Sequence, residues 1–323
     1  MGEENVRVTI IVPVFNAENT LTDCVAAICA QSEKNIQIIL VDDCSSDGSF
    51  KKCKELAKND SRIEIYAQDR NKGPSAARNR GIAHAKGEYV YFCDADDKMT
   101  SDCIEFLEKN LSEENVDMAV CSYYIDGQEV QEKNKTPMYL TPQQAAYMIA
   151  GASGYQAKGY LWNKLFKRTL ISRGGVMFDE ELFICEDALF CQQYIQHCRI
   201  IAYDAMPKYN YISQPSSAMR GKIGERNLSI LQGYDKIIEC CRRYNDDDLI
   251  HVLEANKMVH YSTLIVRILK NYDKEQAWHG KVVCESIEND INKIVKNKYF
   301  PMKRKLMCIL GIAYFKVLRA ISK

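Results

Sequence analysis

The sequence predicts an α/β protein with a mostly parallel sheet flanked by helices, followed by an all-helical C-terminal part. In the first half, short β-favouring apolar runs alternate with segments of helical spacing. After about residue 223 no strand signal remains, and apolar residues recur at helical spacing to the C-terminus. These two observations predict two domains, residues 1–222 and residues 223–323.

The first half contains four predicted strands that are rich in β-branched and aromatic residues. They cover residues 6–14, 36–41, 63–66 and 89–93. The helices predicted between them cover residues 21–31, 50–58 and 75–85. Because a helix separates each strand from the next, we expect the strands to run parallel and their carboxyl ends to share one edge of the sheet.

Composition excludes some functional classes. Lys and Arg together number 43, as do Asp and Glu, so the net charge gives no argument for binding nucleic acid. The 14 cysteines form no Cys-x-x-Cys pair and are expected to be free thiols in a reducing compartment. The N-terminus shows no signal peptide, and residues 306–315 are too short an apolar run to span a bilayer. We therefore expect a cytoplasmic protein.

Two acidic clusters follow predicted strands. One is Asp42-Asp43, and the other comprises Asp94, Asp96 and Asp97. Adjacent carboxylates repel one another, and a hard divalent cation such as Mg²⁺ or Mn²⁺ commonly relieves that repulsion. A solvated turn is the alternative reading of the second cluster. Since both clusters lie at carboxyl ends of strands, where α/β sheets bind ligands, their placement favours a binding site.

The first predicted turn argues against a dinucleotide-binding domain. Residues 13–18 contain no glycine that would let a pyrophosphate approach the backbone closely. The charge of a diphosphate would then have to be neutralised by a metal ion and by basic side chains. Arg78 and Arg80, on the helix before the second acidic cluster, are the candidates.

Four segments resemble the successive motifs of family 2 glycosyltransferases. They are residues 9–16, 41–49, 71–79 and 92–97, in the family's order. The resemblance covers roughly residues 6–220 and implies an inverting enzyme of the GT-A fold that uses a nucleotide-activated sugar. One departure is Cys44, where the family more often has glycine, and we expect only a small local change in that loop.

The resemblance implies which residues contact the nucleoside. Pro13 and Phe15 would line a uracil pocket. Asp43, with Asp42 beside it, would contact the base and the ribose. Asn71, in the turn after the third strand, is also assigned to the nucleotide-sugar site.

The resemblance likewise assigns the diphosphate and metal side of the site. Arg78 would lie against the nucleotide or its phosphates, and Ala95 would contact the donor. Asp96 would hold Mn²⁺ or Mg²⁺, and Asp94 would bind the metal or the ribose. Asp97 is expected to lie behind these ligands.

A second acidic pair, Glu186-Asp187, begins a predicted helix. Acidic residues in a first helical turn are common because they complement the helix dipole, so this pair alone does not indicate chemistry. The resemblance implies that Asp187 is the general base. It also places Glu186, Trp162 and Lys164 on the acceptor side.

Residues 209–217 resemble the family's closing Tyr-x-Tyr segment and the serine-containing loop after it. Tyr209 and Tyr211 are expected to pack in the core or at the acceptor site. A direct contact of Ser216 or Ser217 with phosphate is left open.

The predicted last helix, residues 301–323, carries six basic residues and no acidic one. A basic amphipathic helix of this kind suits an anionic membrane surface. The alternatives are a helix docked on the preceding helices or a contact in a homo-oligomer.

Together, these features predict an inverting, metal-dependent glycosyltransferase. It would move a sugar from a UDP-sugar to a glycan hydroxyl, with a lipid-linked acceptor of surface polysaccharide synthesis at the inner face of the plasma membrane. A nucleotidyltransferase is a weaker alternative because the glycine-rich first loop is missing. A non-catalytic nucleotide-sugar-binding or scaffold module is a third reading, disfavoured by the intact acidic motifs.

Overall fold

The computed structural model describes residues 6–131, 136–152, 154, 156–213 and 222–321. The chain forms two compact units. The sheet unit comprises residues 1–180 and 186–213, and the helical unit comprises residues 181–185 and 214–323.

This division differs from the predicted one in two places. The boundary after residue 213 lies before the predicted one at residue 222, and the short segment 181–185 belongs to the helical unit. Two contacts explain the second difference. The Phe183 amide donates to Ser229 Oγ at 3.2 Å, and Gly233 lets Cys185 approach so closely that a Cβ at residue 233 would lie 2.9 Å from it.

The sheet unit contains a mixed sheet of ten described strands. They are β1 (Val8–Val14), β2 (Ile36–Asp42), β3 (Ile63–Ala67), β4 (Tyr89–Phe92), β5 (Lys98–Met99), β6 (Val116–Ile125), β7 (Gln128–Glu129), β8 (Met138–Leu140), β9 (Lys164–Lys167) and β10 (Ile200–Tyr211). The main order is β3-β2-β1-β4-β9-β6-β10-β5, with β7 on β6 and β8 on β10. β3, β2, β1 and β4 are mutually parallel, whereas β9 runs antiparallel to both of its neighbours. The predicted mostly parallel, mixed α/β architecture is confirmed.

The described part of the sheet unit contains seven helices. They are α1 (Leu21–Cys29), α2 (Ser49–Asn59), α3 (Pro74–His84), α4 (Cys103–Leu111), α5 (Pro142–Ile149), α6 (Arg168–Gly174) and α7 (Glu186–Ile195). The described part of the helical unit contains α8 (Glu225–Cys241), α9 (Asp247–Lys270), α10 (Lys274–Asn289), α11 (Ile291–Lys296) and α12 (Met302–Ile321), with a short 3₁₀ helix at Arg242–Tyr244. Among the described helices, none combines the length and the apolar character needed to cross a membrane.

The central strands are buried because helices cover both faces of the sheet. Every residue of β2 is buried, and β1 is buried except at Pro13. Continuous apolar runs of this kind are typical of parallel strands that have no solvent face. The edge strand β3 is only partly buried and carries the polar side chains of Glu64 and Tyr66.

The sheet order brings the two acidic strand ends to opposite sides of β1. Asp42 at the end of β2 pairs with Val14 at the end of β1, and the Asp43 amide donates to the Val14 carbonyl at 2.8 Å. On the other side, the Cys93 amide donates to the Ile11 carbonyl at 3.0 Å, so the chain after β4 leaves the sheet beside β1. The carboxyl edge of three neighbouring strands therefore carries both clusters.

The helical unit has its own apolar core, to which α12 contributes one face. Cys308, Gly311, Ile312 and Phe315 of α12 are buried in it. Gly280 of α10 allows the Phe315 ring to approach closely, since a Cβ there would collide with the ring. Docking on the preceding helices, which was the alternative to a membrane contact, therefore describes one face of the last helix.

Candidate active site

A buried arginine joins the two acidic segments that the sequence separates by about 90 residues. Arg78 of α3 is 6% exposed at its side chain. One terminal nitrogen donates to Asp94 at 3.1 Å, and the other donates to Asp187 at 2.9 Å and to Glu186 at 3.2 Å. The loop after β4 and the first turn of α7 therefore meet at one guanidinium.

Arg78 contacts carboxylates of the protein itself, in addition to any ligand contact that the resemblance implies. The resemblance implied a contact with the nucleotide or its phosphates, but both terminal nitrogens are engaged by carboxylates. Its buried Nε has no hydrogen-bond partner among the described residues. The close carboxylates raise the pKa of Arg78 above its usual value despite its burial, so the cation is permanent. Arg78 therefore holds the cluster together, and its contact with the nucleotide or its phosphates stays a prediction.

The cluster carries more negative than positive charge. Asp94, Glu186 and Asp187 contact the one guanidinium of Arg78, and Asp187 keeps 26% of its side chain exposed. The carboxylate of Asp96 lies close enough to interact with that of Asp94. Burial raises the pKa of Asp187, with Arg78 opposing this shift and the other carboxylates adding to it. Burial and then Asp94 raise the pKa of Asp96. Such a site favours a bound cation or a proton.

The donor set fits a hard divalent cation that shares its coordination with a substrate. No group of three or more His, Cys, Asp or Glu side chains among the described residues is arranged to hold a metal. Asp94 and Asp96 offer two carboxylates, and Mg²⁺ is usually bound through one or two carboxylates plus phosphate oxygens and water. Two protein ligands therefore suffice for a metal that arrives with a nucleoside diphosphate.

Asp97 supports the loop from behind. It is 1% exposed and accepts hydrogen bonds from the Tyr209 hydroxyl at 2.9 Å and from the Ile212 amide at 2.7 Å. The Tyr209 hydroxyl in turn accepts from the Asp94 amide at 3.2 Å. Burial and the neighbouring Asp94 raise the pKa of Asp97 to about 8. This carboxyl group therefore fastens the loop to the end of β10.

At the other strand end, Asp43 and Asp42 differ in their hydrogen bonds. The two oxygens of Asp43 accept from the amides of Lys72 and Gly73, each at 2.8 Å, so this side chain holds the turn before α3. Asp42 accepts from the Ser45 amide at 3.2 Å through Oδ2, while its buried Oδ1 has no partner among the described residues. Asp42 therefore retains the acceptor that a ligand would need, although the resemblance had put Asp43 foremost.

The remaining residues assigned to the nucleotide differ in exposure. Phe15 is 47% exposed just beyond β1, so its ring face is open to a planar ligand. Pro13 and Asn71 are half-buried, and Ala95 is buried. Cys44 adopts a left-handed backbone with φ of +59°, which explains why glycine suits this position.

Trp162 and Lys164, which were predicted to lie on the acceptor side, are buried and tightly packed. Trp162 is 5% exposed and stacks between the rings of Tyr160 and Tyr209, with centroids at 4.7 and 4.5 Å. Lys164 is fully buried, and its Nζ donates to the carbonyls of residues 157, 158 and 160. Burial lowers the pKa of Lys164 to about 8. These side chains shape the loop beside the site, and Ser216 and Ser217 lie outside the described residues.

Sequence reasoning missed two features of this site. One is the placement of Asp94 and Asp187 on the same guanidinium, because nothing in a one-dimensional pattern links α3 to α7. The other is Tyr209, which joins Asp94 to Asp97 through its hydroxyl. The Tyr-x-Tyr motif pointed to this residue as packing only.

The fold is of the GT-A type, and its acidic, arginine-braced site lies at the carboxyl ends of the parallel strands. The family model for glycosyl transferase family 2 matches residues 9–176, just over half of the chain. The chain belongs to glycosyl transferase family 2.

Curated relatives are named as glycosyltransferases. EpsH of Bacillus subtilis strain 168 is 28% identical over 263 residues, which cover 77% of this chain and 76% of EpsH. EpsJ of the same strain is 32% identical over 57% of this chain. GlyA of Streptococcus pneumoniae serotype 4 is 45% identical over 36% of this chain. The matches span only 54% of EpsJ and 17% of GlyA.

Solved structures share the fold along almost the whole chain. The S. aureus TarS fragment 1–349 in complex with UDP has a TM-score of 0.68 at 18% identity, covering 98% of this chain and 92% of that one. The mannosyltransferase PcManGT of Pyrobaculum calidifontis, in complex with GDP-Man and Mn²⁺, has a TM-score of 0.54 at 15% identity, covering 99% and 88%. At these identities the likeness shows the fold alone.

Removal of the Arg78 cation should destabilise the sheet unit strongly. Arg78→Met leaves buried carboxylates uncompensated, which typically costs about 3–5 kcal/mol. Arg78→Lys keeps the charge but loses the fork that reaches both sides, so its loss should be smaller. Urea denaturation gives both values.

The matched control is Arg80→Met on the same helix. Arg80 donates one long hydrogen bond, to Gln68 at 3.4 Å, and its replacement should cost less than about 1 kcal/mol. Equal losses at the two positions would show that the carboxylate cluster does not depend on Arg78.

Proposed function

We propose that this protein transfers a sugar from a nucleotide-sugar to a hydroxyl group of a glycan acceptor, with inversion at the anomeric carbon. The observation that carries this proposal is the Arg78 cluster. It holds a side chain suited to deprotonate an acceptor, Asp187, and one suited to a metal-bound diphosphate, Asp94, on the same guanidinium.

Asp187 is suited to act as the general base. Inversion by single displacement requires an acceptor hydroxyl to attack opposite the leaving nucleoside diphosphate, and its proton must pass to a nearby group. Asp187 Oδ1 is bonded to Arg78, and the partial exposure of the side chain leaves room for a hydroxyl to donate to it. Its raised pKa makes the carboxylate a stronger base than a solvated Asp.

Asp94 and Asp96 would hold Mn²⁺ or Mg²⁺ together with the donor's phosphates. When bound, the cation offsets the negative charge that develops on the departing diphosphate. Asp97 and Tyr209 keep the loop in place beneath these two side chains. The excess of carboxylates over cations in the cluster supports this role.

We favour a UDP-sugar as the donor. Phe15 offers an exposed ring face beside Pro13, and the unpaired Oδ1 of Asp42 can accept from a base N–H or a ribose hydroxyl. Asn71 and Ala95 would complete this side of the site. TarS, with the higher TM-score of the two structural neighbours, was solved with UDP, while PcManGT was solved with GDP-Man.

Replacement of Asp187 by Asn should abolish transfer and leave donor binding nearly intact. The change removes the base but keeps the size of the side chain, so turnover should fall by about 10²–10⁴-fold. Turnover is followed as UDP release from a UDP-sugar with Mn²⁺, and donor affinity by calorimetry.

The control is Glu180→Gln, an exposed acid that precedes α7 and accepts from Asn79 at 3.0 Å. This variant should keep normal turnover. If Asp187→Asn loses donor binding and its turnover falls only as much as its donor affinity, Asp187 belongs to the donor site.

Asp96→Ala should remove the activation by divalent ions. With one of the two carboxylates gone, the concentration of Mn²⁺ needed for half-maximal turnover should rise about tenfold or more. Asp23→Ala is the control, since Asp23 is exposed and pairs with Lys98 just after the same loop. Normal turnover of the wild type in a chelator would contradict the metal role altogether.

We also propose that the acceptor is lipid-linked and that α12 brings the enzyme to an anionic membrane surface on the cytoplasmic side. The face of α12 opposite its buried one exposes Leu306, Leu310, Tyr314, Val317 and Ile321, each to 51–77%. Residues 291–321 contain eight basic residues and no acidic one. An apolar face among basic residues is the pattern of helices that lie in a membrane interface.

The membrane proposal predicts that Leu310→Glu combined with Tyr314→Glu abolishes co-sedimentation with vesicles of phosphatidylcholine and phosphatidylglycerol. These positions lie off the buried face of α12, so the fold should survive, whereas truncation would remove the core residue Phe315. Tyr139→Glu, at an equally exposed tyrosine of the sheet unit, is the control. Unchanged binding of the double variant, or equal binding to pure phosphatidylcholine, would refute the proposal.

A further inference from the structure

A groove of about 540 Å³ lies on the helical unit and has no part in the site described above. Its sides come from α8, from α10 and from the segment 181–185 that joins this unit. Small-molecule sites usually measure about 300–1,000 Å³, so the groove is large enough for a ligand of several rings.

Trp278 of α10 lines this groove and is 54% exposed. The core-facing positions of α10 include His279, Val283 and Ile287, so Trp278 lies outside the packed face of its helix. Val282 and Ser286, one and two turns further along, line the same groove. An exposed tryptophan outside the packed face of its helix is a typical anchor for a ligand.

Phe183 also lines the groove. Its backbone is held by the hydrogen bond from its amide to Ser229 Oγ at 3.2 Å. The Arg226 guanidinium lies 4.7 Å from the centre of the Phe183 ring, a cation–π contact that restricts both side chains. Two aromatic side chains, Phe183 and Trp278, therefore line one groove.

The polar lining of the groove suits hydroxyl groups. Its carboxylates come from Glu181, Glu225 and Asp235. Two of them are ion-paired, Glu181 with Lys236 at 3.9 Å and Asp235 with Lys257 at 2.6 Å, and Arg226 also lines the groove. Carboxylates accept hydrogen bonds from hydroxyls, and Gln232 can both donate and accept. These groups leave no excess of positive charge that would select a phosphate-bearing ligand such as the nucleotide donor.

We propose that this groove binds an uncharged oligosaccharide, as a remote subsite for the glycan acceptor. A pyranose ring has an apolar C–H face, which the Trp278 ring can cover, and a rim of hydroxyls, which the carboxylates and Gln232 can bind. The proposal rests on the proposed function, because a glycosyltransferase needs an acceptor glycan. A remote subsite lets binding energy from parts of the acceptor that do not react contribute to catalysis.

The test uses the full-length protein on a printed array of neutral and phosphate-bearing glycans. We expect a subset of neutral oligosaccharides to bind, and Trp278→Ala to weaken that binding by about tenfold or more. Trp278→Tyr, which keeps a ring, should retain most of the affinity. Tyr139→Ala is the control, because Tyr139 is 56% exposed in the sheet unit, outside the groove.

Fluorescence measures the same event in solution. The chain has two tryptophans, and Trp162 is 5% exposed, so acrylamide quenching reports chiefly on Trp278. The best neutral glycan from the array should protect wild-type fluorescence from acrylamide in a saturable way. A peptide or a phosphorylated glycan that protects Trp278 better would overturn the assignment.

Two outcomes overturn the groove proposal alone: no neutral glycan binds, or Trp278→Ala binds glycans as tightly as the wild type. The proposed function is tested separately on the wild type, by Mn²⁺-dependent UDP release from a UDP-sugar. Glycan binding at Trp278 without any UDP release would refute the transferase function and leave the groove as a glycan site.

Discussion

One buried cation allows acidic side chains from distant parts of the chain to share a site. Glu186 and Asp187 begin α7, and Asp94 follows β4, yet all three lie within 3.2 Å of Arg78. Uncompensated carboxylates at this depth would repel each other and take up protons. Because Arg78 offsets only part of their charge, the cluster is held together and still attracts a cation. The attraction to Arg78 thus holds the segments together, and the remaining negative charge of the carboxylates favours a bound cation.

The acidic residues at the strand ends divide into two kinds. Asp43 and Asp97 have their oxygens engaged, mainly by backbone amides, and they hold the turn before α3 and the loop after β4. Asp42, Asp94 and Asp96 retain acceptor capacity beside those fixed segments. Asp43 and Asp97 fix the backbone segments that carry the other acidic side chains. A fixed set of acceptors loses less entropy when a ligand binds. A motif such as Asp-x-Asp-Asp therefore contains both carboxylates that retain acceptor capacity and a carboxylate that supports the loop.

The elements that could be predicted from the sequence are those specified by local residue patterns. The apolar runs of β1, β2 and β4 identified buried parallel strands, and the acidic clusters followed from their ends. β9 was not predicted, because a four-residue strand that begins and ends with lysine has no apolar run. The burial of Lys164 depends on three carbonyls that only the folded loop brings together. The roles of Asp42 and Asp43 likewise depend on a turn that is distant in sequence.

The net charge of zero gives no sign of how unevenly charge is distributed along this chain. All 43 acidic residues lie within residues 1–290, while residues 291–323 carry nine of the 43 basic ones and no acid. The helical unit therefore combines a groove whose carboxylates are largely ion-paired with a last segment whose charged residues are all basic. An anionic surface would be attracted by the basic segment, whereas an uncharged glycan is indifferent to charge and could use the Trp278 ring. If both proposals hold, segregated charge would let one small unit serve two partners of different chemistry, which a chain with evenly mixed charges could not do.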